Sequence, residues 1–450
     1  MTTTLGAAAD AAEAPALADV RSQLRLVVAG SVDDGKSTLV GRLLYDTKSI
    51  LADQYEAIEE ASRRRGSGDV DLALLTDGLR AEREQGITID VAYRYFSTSR
   101  RSFVLADTPG HTQYTRNTVT GASTAQAAIV LVDARQGVLA QTRRHLAVLA
   151  LLRVPHVVVA VNKMDLVGWD QGTFDAVAAD VAAAAAALGM GDVRSLPVSA
   201  LTGQNVTPDA VRAGVGDAAG VGDAAGDWYA GPSLLEAVEE LDVSHDDADA
   251  PFRMPVQLVV RPRTSEHRDY RGLAGRVAAG RLAVGDAITA WPSGLTSQVT
   301  GLDTPTGPAA TVEAGDAVTV LLADEIDAGR GQLLAAADAP PLVTSRLEGT
   351  ACWLAERPSA PRQRVLVKAG TATVRGLLDP VAEVWDVDEQ RWLPAGSGAA
   401  LNDIARLSVT LAEPLAVDRY AESRWTGGAL VIDPASGATL AALMIDDGAS

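Results

Sequence analysis

The sequence predicts a doubly wound α/β domain with a mixed sheet, followed by two β-barrel domains. Its 450 residues leave room for about three domains at ~150 residues each. From about residue 23 to 245, short β-rich runs alternate with helical runs, as in a sheet covered by helices on both faces. After residue 250 the texture changes to short Val-rich runs spaced by Gly, Pro and Asp, such as Gly275-Arg276-Val277 and Gly285-Asp286-Ala287-Ile288. Runs this short and even favour barrels or sandwiches.

Residues 1–22 are expected to form a disordered tail, since their opening lacks the positive start and long apolar core of a signal peptide. Arg25 to Gly30 reads as the first buried strand, with a glycine loop and a helical run behind it. Val91 to Phe96 alternates and reaches Ser102 to Asp107 through the polar turn Ser97 to Arg101, which predicts an antiparallel edge hairpin. Ala127 to Ala134, Val157 to Asn162 and Leu196 to Ala200 are the remaining buried strands. The hexapeptide VGDAAG occurs in tandem at Val215 to Gly220 and Val221 to Gly226; a solenoid needs ~3 stacked repeats, so this reads as a lengthened flexible loop. A break at Ala339-Pro340-Pro341 divides the rest, giving expected domains at 23–245, 250–340 and 343–447.

Composition excludes several function classes. Hydrophobic residues at 47% and charged residues at 22% are near the globular average, against a wholly disordered or fibrous chain. The balance of 39 Lys+Arg against 58 Asp+Glu gives a net charge of -19, which opposes broad adhesion to nucleic acid or anionic lipid. Cys352 is the sole cysteine, so no intrachain disulfide or thiolate cluster can form, and a cytoplasmic protein is expected. The longest apolar stretches fall far below the ~20 residues of a membrane span.

The segment Gly30-Ser31-Val32-Asp33-Asp34-Gly35-Lys36-Ser37 fits G-x-x-x-x-G-K-[ST] between the first strand and a helical run. Its glycines let backbone amides point inward around phosphates, and the helix N-terminus adds a positive end. Lys36 would reach the β- and γ-phosphates and the Ser37 hydroxyl would bind Mg²⁺. With 41 Gly and four Lys in the chain, chance alone supplies GxxxxGK about 0.03 times.

The base is named elsewhere. Asn162-Lys163-Met164-Asp165 follows an apolar strand, where the Asp165 carboxylate can accept from guanine N1 and the 2-amino group, a pattern adenine does not offer. Ser199, with backbone groups of Ala200 and Leu201, would complete that pocket. Asp107-Thr108-Pro109-Gly110-His111 ends another strand, so Asp107 would hold Mg²⁺ through water and the Gly110 amide would sense the γ-phosphate. Thr88, in Gly86-Ile87-Thr88-Ile89, would join the metal only when the γ-phosphate is present. His111 is the candidate for orienting the attacking water; His145, His156, His245 and His267 read as ordinary satisfied histidines.

GSVDDGKST, DTPGH and NKMD, ahead of two β domains, resemble the elongation factor Tu class, which identifies the first unit as a P-loop GTPase domain. The closer likeness lies in Asp77 to Phe96, in GSVDDGKSTLVGRLL and in GASTAQAAIVLVDARQGV, which resemble the GTPase subunit of bacterial sulfate adenylyltransferase. That resemblance, over about residues 23 to 447, implies binding of GTP/GDP and Mg²⁺ and a smaller catalytic partner subunit that binds ATP and sulfate. GTP hydrolysis would then drive formation of adenosine 5′-phosphosulfate and pyrophosphate. It further implies that Asp33, Gly35, Lys36, Ser37 and Thr38 hold phosphate and metal, and that Asn162, Lys163, Asp165 and Ser199 hold guanine. Thr112 stands where the family usually has Glu, and Ala441 and Leu443 where it usually has glycines. No second GxxxxGK occurs, so no adenylylsulfate kinase activity is expected.

A translation factor binding tRNA or the ribosome would share this fold. The acidic total disfavours it, although Arg253, Arg261, Arg263, Arg268, Arg271, Arg276 and Arg281 outnumber Glu266 and Asp269. That stretch would meet RNA, an acidic subunit face or only solvent.

Overall fold

The computed structural model describes residues 23–50, 72, 91–109, 115–208, 228–243, 249–262, 270–386, 389, 391–396 and 398–446. The tail, the tandem VGDAAG and Thr112 lie outside the described residues.

The first unit is a six-stranded sheet in the order β2-β3-β1-β4-β5-β6. Its strands are β1 (Gln23–Gly30), β2 (Ala92–Ser97), β3 (Ser102–Asp107), β4 (Ala127–Asp133), β5 (His156–Asn162) and β6 (Asp192–Pro197). All are parallel except β2, which pairs antiparallel with β3 as the polar turn before Ser102 predicts. The flanking helices are α1 (Lys36–Asp46), α2 (Thr115–Ala122), α3 (Ala140–Leu151), α4 (Gln171–Ala187) and α5 (Leu234–Glu239).

Alternate residues of the central strands pack into opposite layers, so that both faces are buried. Leu26, Val28, Leu105 and Leu131 face a layer with Leu39 and Leu43 of α1, while Val27, Val130, Val132 and Val159 face the layer of α3. Every residue of β4, at the centre, is buried. The strand expected at Leu196 to Ala200 lies earlier, at Asp192–Pro197. As an edge strand it tolerates the polar Asp192, Arg194 and Ser195, and after Pro197 the chain turns away to meet Asn162. The C-terminal ends of β1, β3, β4 and β5 bring Gly30, Asp107, Asp133 and Asn162 to one edge of the sheet, where open α/β folds bind ligands.

Two closed six-strand antiparallel barrels follow. The first runs β10-β15-β7-β8-β14-β11 and closes through β10 and β11, using β7 (Arg253–Val260), β8 (Gly272–Arg276), β10 (Ala287–Trp291), β11 (Leu295–Thr304), β14 (Ala317–Leu322) and β15 (Leu333–Ala336). Short strands β9 (Arg281–Ala283), β12 (Gly307–Ala309) and β13 (Thr311–Glu313) decorate it. The second runs β16-β23-β22-β17-β18-β21 and closes through β16 and β21, using β16 (Leu342–Trp353), β17 (Gln363–Ala369), β18 (Ala372–Leu378), β21 (Ile404–Val417), β22 (Gly428–Ile432) and β23 (Thr439–Asp446). A hairpin of β19 (Glu383–Asp386) and β20 (Arg391–Pro394) extends it beyond β21. Ala441 and Leu443 lie in the core of this barrel.

Polar and apolar contacts join the units. The Arg253 guanidinium donates to Asp418 at 2.9–3.1 Å, with both side chains 7% exposed. Tyr420 donates its hydroxyl to the Leu152 carbonyl at 3.1 Å, and Arg424 donates to the Ala125 carbonyl at 3.0 Å, just past the C-terminus of α2. Cys352, Leu354, Tyr420, Ala442 and Met444 of the second barrel share one apolar cluster with the α3 side of the sheet.

Four of the arginines in this stretch have partners within the chain, and Arg261 is exposed. Arg253 is buried, Arg271 donates to the Ala328 carbonyl, Arg276 donates to the Gly315 carbonyl and lies over the Trp425 ring, and Arg281 pairs with Glu313. Arg263 and Arg268 lie outside the described residues. No helix among the described residues is long and apolar enough to cross a membrane.

Candidate nucleotide site

The glycine loop takes the shape its sequence requires. Asp33 and Gly35 have positive φ values of 68° and 93°. At Gly35 a Cβ would also come within 2.5 Å of Asn162 Nδ2, so only glycine fits. The Asp34 carboxylate closes the turn by accepting from the Ser31 amide at 2.6 Å, and burial pushes its carboxyl up despite that bond and the nearby Lys36 charge. Gly35 caps α1 without any side-chain hydrogen bond, leaving the helix amides open to an anion. Ser31 Oγ is buried with no hydrogen-bond partner among the described residues, as in a loop built around a ligand. Val32, at 40% exposure, faces outward.

Lys36 is buried and spans the loop. Its Nζ donates to the Gly30 carbonyl at 2.8 Å and the Ser31 carbonyl at 2.7 Å, which leaves one of three ammonium hydrogens for a phosphate oxygen. Burial lowers its pKa, opposed by the carboxylates of Asp107, Asp34 and Asp33. Behind the loop sits His145, 3% exposed, with Nε2 3.2 Å from Gln141 Nε2 and a hydrogen bond to the Gly30 backbone. Burial, with the Lys36 charge, pushes this imidazole down to about 3, so the ring is neutral.

Asp107 is 1% exposed at the end of β3, and the next residue anchors the turn: Thr108 Oγ1 donates to the Val28 carbonyl at 2.7 Å. Ser37 and Thr38 are half-buried in the first turn of α1. No group of three or more His, Cys, Asp or Glu among the described residues is placed to hold a metal ion by itself. A hydroxyl and one carboxylate are hard oxygen donors, and they suit Mg²⁺, which keeps several waters and binds with phosphates rather than in a protein cage. Thr88, Gly110 and His111 lie outside the described residues.

On the base side, Asn162 is 2% exposed and both ends of its amide bond to protein. Its Nδ2 donates to the Asp34 carbonyl at 2.7 Å and its Oδ1 accepts from the Ala200 amide at 2.9 Å. Asn162 therefore joins the 30–37 loop to the 199–205 loop, and the Ala200 amide is already engaged. Lys163, at φ 65°, donates to the Asp33 carbonyl and pairs with Asp133 at 3.0 Å. Asp165 is half-buried, and no hydrogen bond or ion pair engages its carboxylate among the described residues. Ser199 is fully buried, its Oγ accepting from the Thr202 amide at 3.3 Å. The Leu201 amide makes no hydrogen bond among the described residues, and its side chain is 70% exposed. Asp165 and the Leu201 amide are thus the open acceptor and donor on this side.

Two members of the site escape the motifs. Asp133, at the end of β4, accepts from Arg135 at 2.7 and 3.0 Å as well as from Lys163. Burial alone would raise its carboxyl, but these partners hold it well below the usual carboxylate range. Its position at a strand end, like that of Asp107, is the signal that marks it. Arg42, one turn and a half into α1, donates to the Leu201 carbonyl at 2.8 Å, and nothing in its local sequence announces that contact.

A family model described as the elongation factor Tu GTP binding domain matches residues 21–243, and another described as GTP-eEF1A C-terminal domain-like matches residues 346–446. Sulfate adenylyltransferase subunit 1 of Methylorubrum populi is 48% identical over 412 residues, covering 91% of this chain and 84% of that protein. The protein of the same name from Laribacter hongkongensis is 45% identical over 95% of this chain and 86% of its own. The bifunctional enzyme CysN/CysC of Mycobacterium tuberculosis is 47% identical over 94% of this chain, which spans 67% of that longer protein.

Proposed function

The chain belongs to the sulfate adenylyltransferase subunit 1 family, with a nucleotide domain of the elongation factor Tu type, and on that premise we propose that it is the GTP-hydrolysing half of a two-subunit enzyme. The smaller half binds ATP and sulfate and forms adenosine 5′-phosphosulfate and pyrophosphate; hydrolysis of GTP in this chain drives that step, in the reducing cytoplasm.

The observation that carries the reading is the Asn162 clip, which holds the loop expected to bind phosphate and the loop expected to read the base in one register. Lys36 offers its remaining ammonium hydrogen to the β- and γ-phosphates, and the α1 amides offer theirs. Ser37 and Asp107, with Thr88 when the γ-phosphate is present, would hold Mg²⁺, which when bound neutralises charge developing between the phosphates. Asp165 accepts from guanine N1 and the 2-amino group, and the Leu201 amide faces the 6-oxo group. His111 orients the attacking water and Gly110 senses the γ-phosphate. A ligand shifts an equilibrium only by its differential affinity, so the complex must contact the GTP- and GDP-bound states differently.

The translation-factor reading needs an open basic face, and four of the seven arginines that suggested one already have partners in this chain, with Arg253 buried. The test is reconstitution with the small subunit and an assay of pyrophosphate release from ATP plus sulfate. Lys36→Ala is expected to abolish stimulation by GTP while leaving the basal rate of the small subunit; unchanged stimulation refutes the assignment.

A further inference from the structure

The loop that follows β6 is fastened to the phosphate-loop helix a second time, on its outer side. Arg42 of α1 is 8% exposed and donates from one terminal nitrogen to the Leu201 carbonyl at 2.8 Å. Its other terminal nitrogen lies 3.6 Å from Asp46, one turn further along the same helix. Asp46, 1% exposed, accepts from the Thr207 hydroxyl at 2.7 Å. Between these two attachments Gly203, at φ 79°, passes so close that a Cβ there would lie 3.3 Å from Arg42 Cδ, Nε and Cζ. Arg42 and Asp46 together thus brace residues 201–207 against α1, with Arg42 holding the Leu201 end.

Leu201 needs this hold. Its side chain is 70% exposed, so packing does not fix it. The peptide linking Leu201 to Thr202 is held at both ends, its carbonyl by Arg42 and its amide by Ser199 Oγ at 3.3 Å. The amide on the other side of the Leu201 Cα is the open donor of the loop, because the neighbouring Ala200 amide is engaged by Asn162.

We infer that Arg42 is a positioning residue for base selection: by gripping the Leu201 carbonyl from the phosphate-loop helix, it sets where the Leu201 amide meets the 6-oxo edge of a guanine base. This rests on the guanine reading of the site. It separates the two edges of the base, since position 6 is read by a loop that Arg42 braces and position 2 by Asp165, which Arg42 does not touch.

The experiment measures dissociation constants of GDP, of 2,6-diaminopurine riboside diphosphate, which carries an amine at position 6 and lacks the N1 proton in wild type and variants alike, and of IDP, which lacks the 2-amino group. Wild type is compared with Arg42→Gln and with Arg42→Met combined with Asp46→Asn, a pair that leaves no uncompensated buried charge. Both variants are expected to lose about tenfold of their preference for GDP over the diaminopurine analogue while keeping the GDP-to-IDP ratio within about twofold. An equal loss for all three nucleotides marks a merely structural residue and overturns the inference, as do unchanged ratios. If wild type itself discriminates against neither analogue nor ADP, the guanine reading falls as well.

Discussion

Asn162 donates from Nδ2 to the carbonyl oxygen of Asp34 at 2.7 Å, a bond that spans 128 positions of sequence. Because the same side chain accepts from Ala200, both ends of its amide are engaged in bracing the candidate nucleotide site. Asn162→Ala strands a buried carbonyl and a buried amide, each worth about 1–3 kcal/mol. The GDP dissociation constant is expected to rise at least tenfold, read by calorimetry. Asn162→Asp keeps the acceptor for Ala200 but sets an oxygen against the Asp34 carbonyl, so it should bind more weakly still.

His145 makes a prediction in pH. Its imidazole is held at about 3 in the folded protein, whereas an unfolded histidine titrates near 6.5. The unfolded state therefore takes up the proton first, so this contribution to stability is complete above about pH 6.5 and is lost as pH falls toward 3. Urea unfolding of wild type should lose about 1.4 kcal/mol more than that of His145→Asn between about pH 7.5 and 5.5. Parallel losses would mean that the ring is charged in the native state.

The Arg253–Asp418 pair makes a prediction about stability. Both side chains are 7% exposed and joined by three hydrogen bonds, and Thr426 also donates to Asp418. Arg253→Ala leaves a buried carboxylate uncompensated, which costs about 3–5 kcal/mol. Arg253→Met combined with Asp418→Leu should recover much of that loss in calorimetric melting, since no charge then remains buried.

Cys352 makes a prediction about reactivity. The side chain is fully buried, and that burial pushes the thiol up to about 12, with Asp403 adding to the rise. Only the thiolate attacks a disulfide reagent. The native protein should therefore resist Ellman's reagent at about pH 8 and react once unfolded; rapid native labelling would contradict the packing around Cys352.

Much of the α/β unit is legible because central parallel strands read as unbroken apolar runs ending in Gly, Asp or Asn. β4 is buried at every residue and its run is plain in the sequence. β6 is less legible, because an edge strand carries Asp192, Arg194 and Ser195, while the more apolar Val198 to Ala200 belongs to the turn. Within the site, the loop from Gly30 to Ser37 and the NKMD turn announce themselves through local spacing. The division of labour among Asn162, Ala200 and Leu201 does not, because it depends on which amide a side chain 38 residues away has already taken. Arg42 was invisible for the same reason: its partner lies 159 residues on.

The greasy seam between sheet and second barrel bears on how the chain can be dissected. Cys352, Leu354, Tyr420, Ala442 and Met444 shield a patch beside α3, and among the described residues none from the first barrel joins that cluster. A truncation after residue 243 would strip off this cover and leave a fragment prone to self-adhesion. Splicing a short tether in place of the first barrel would keep the cover on but would take Arg253 from the buried Asp418, so an exchange of the middle of this chain has to neutralise Asp418 in the same step.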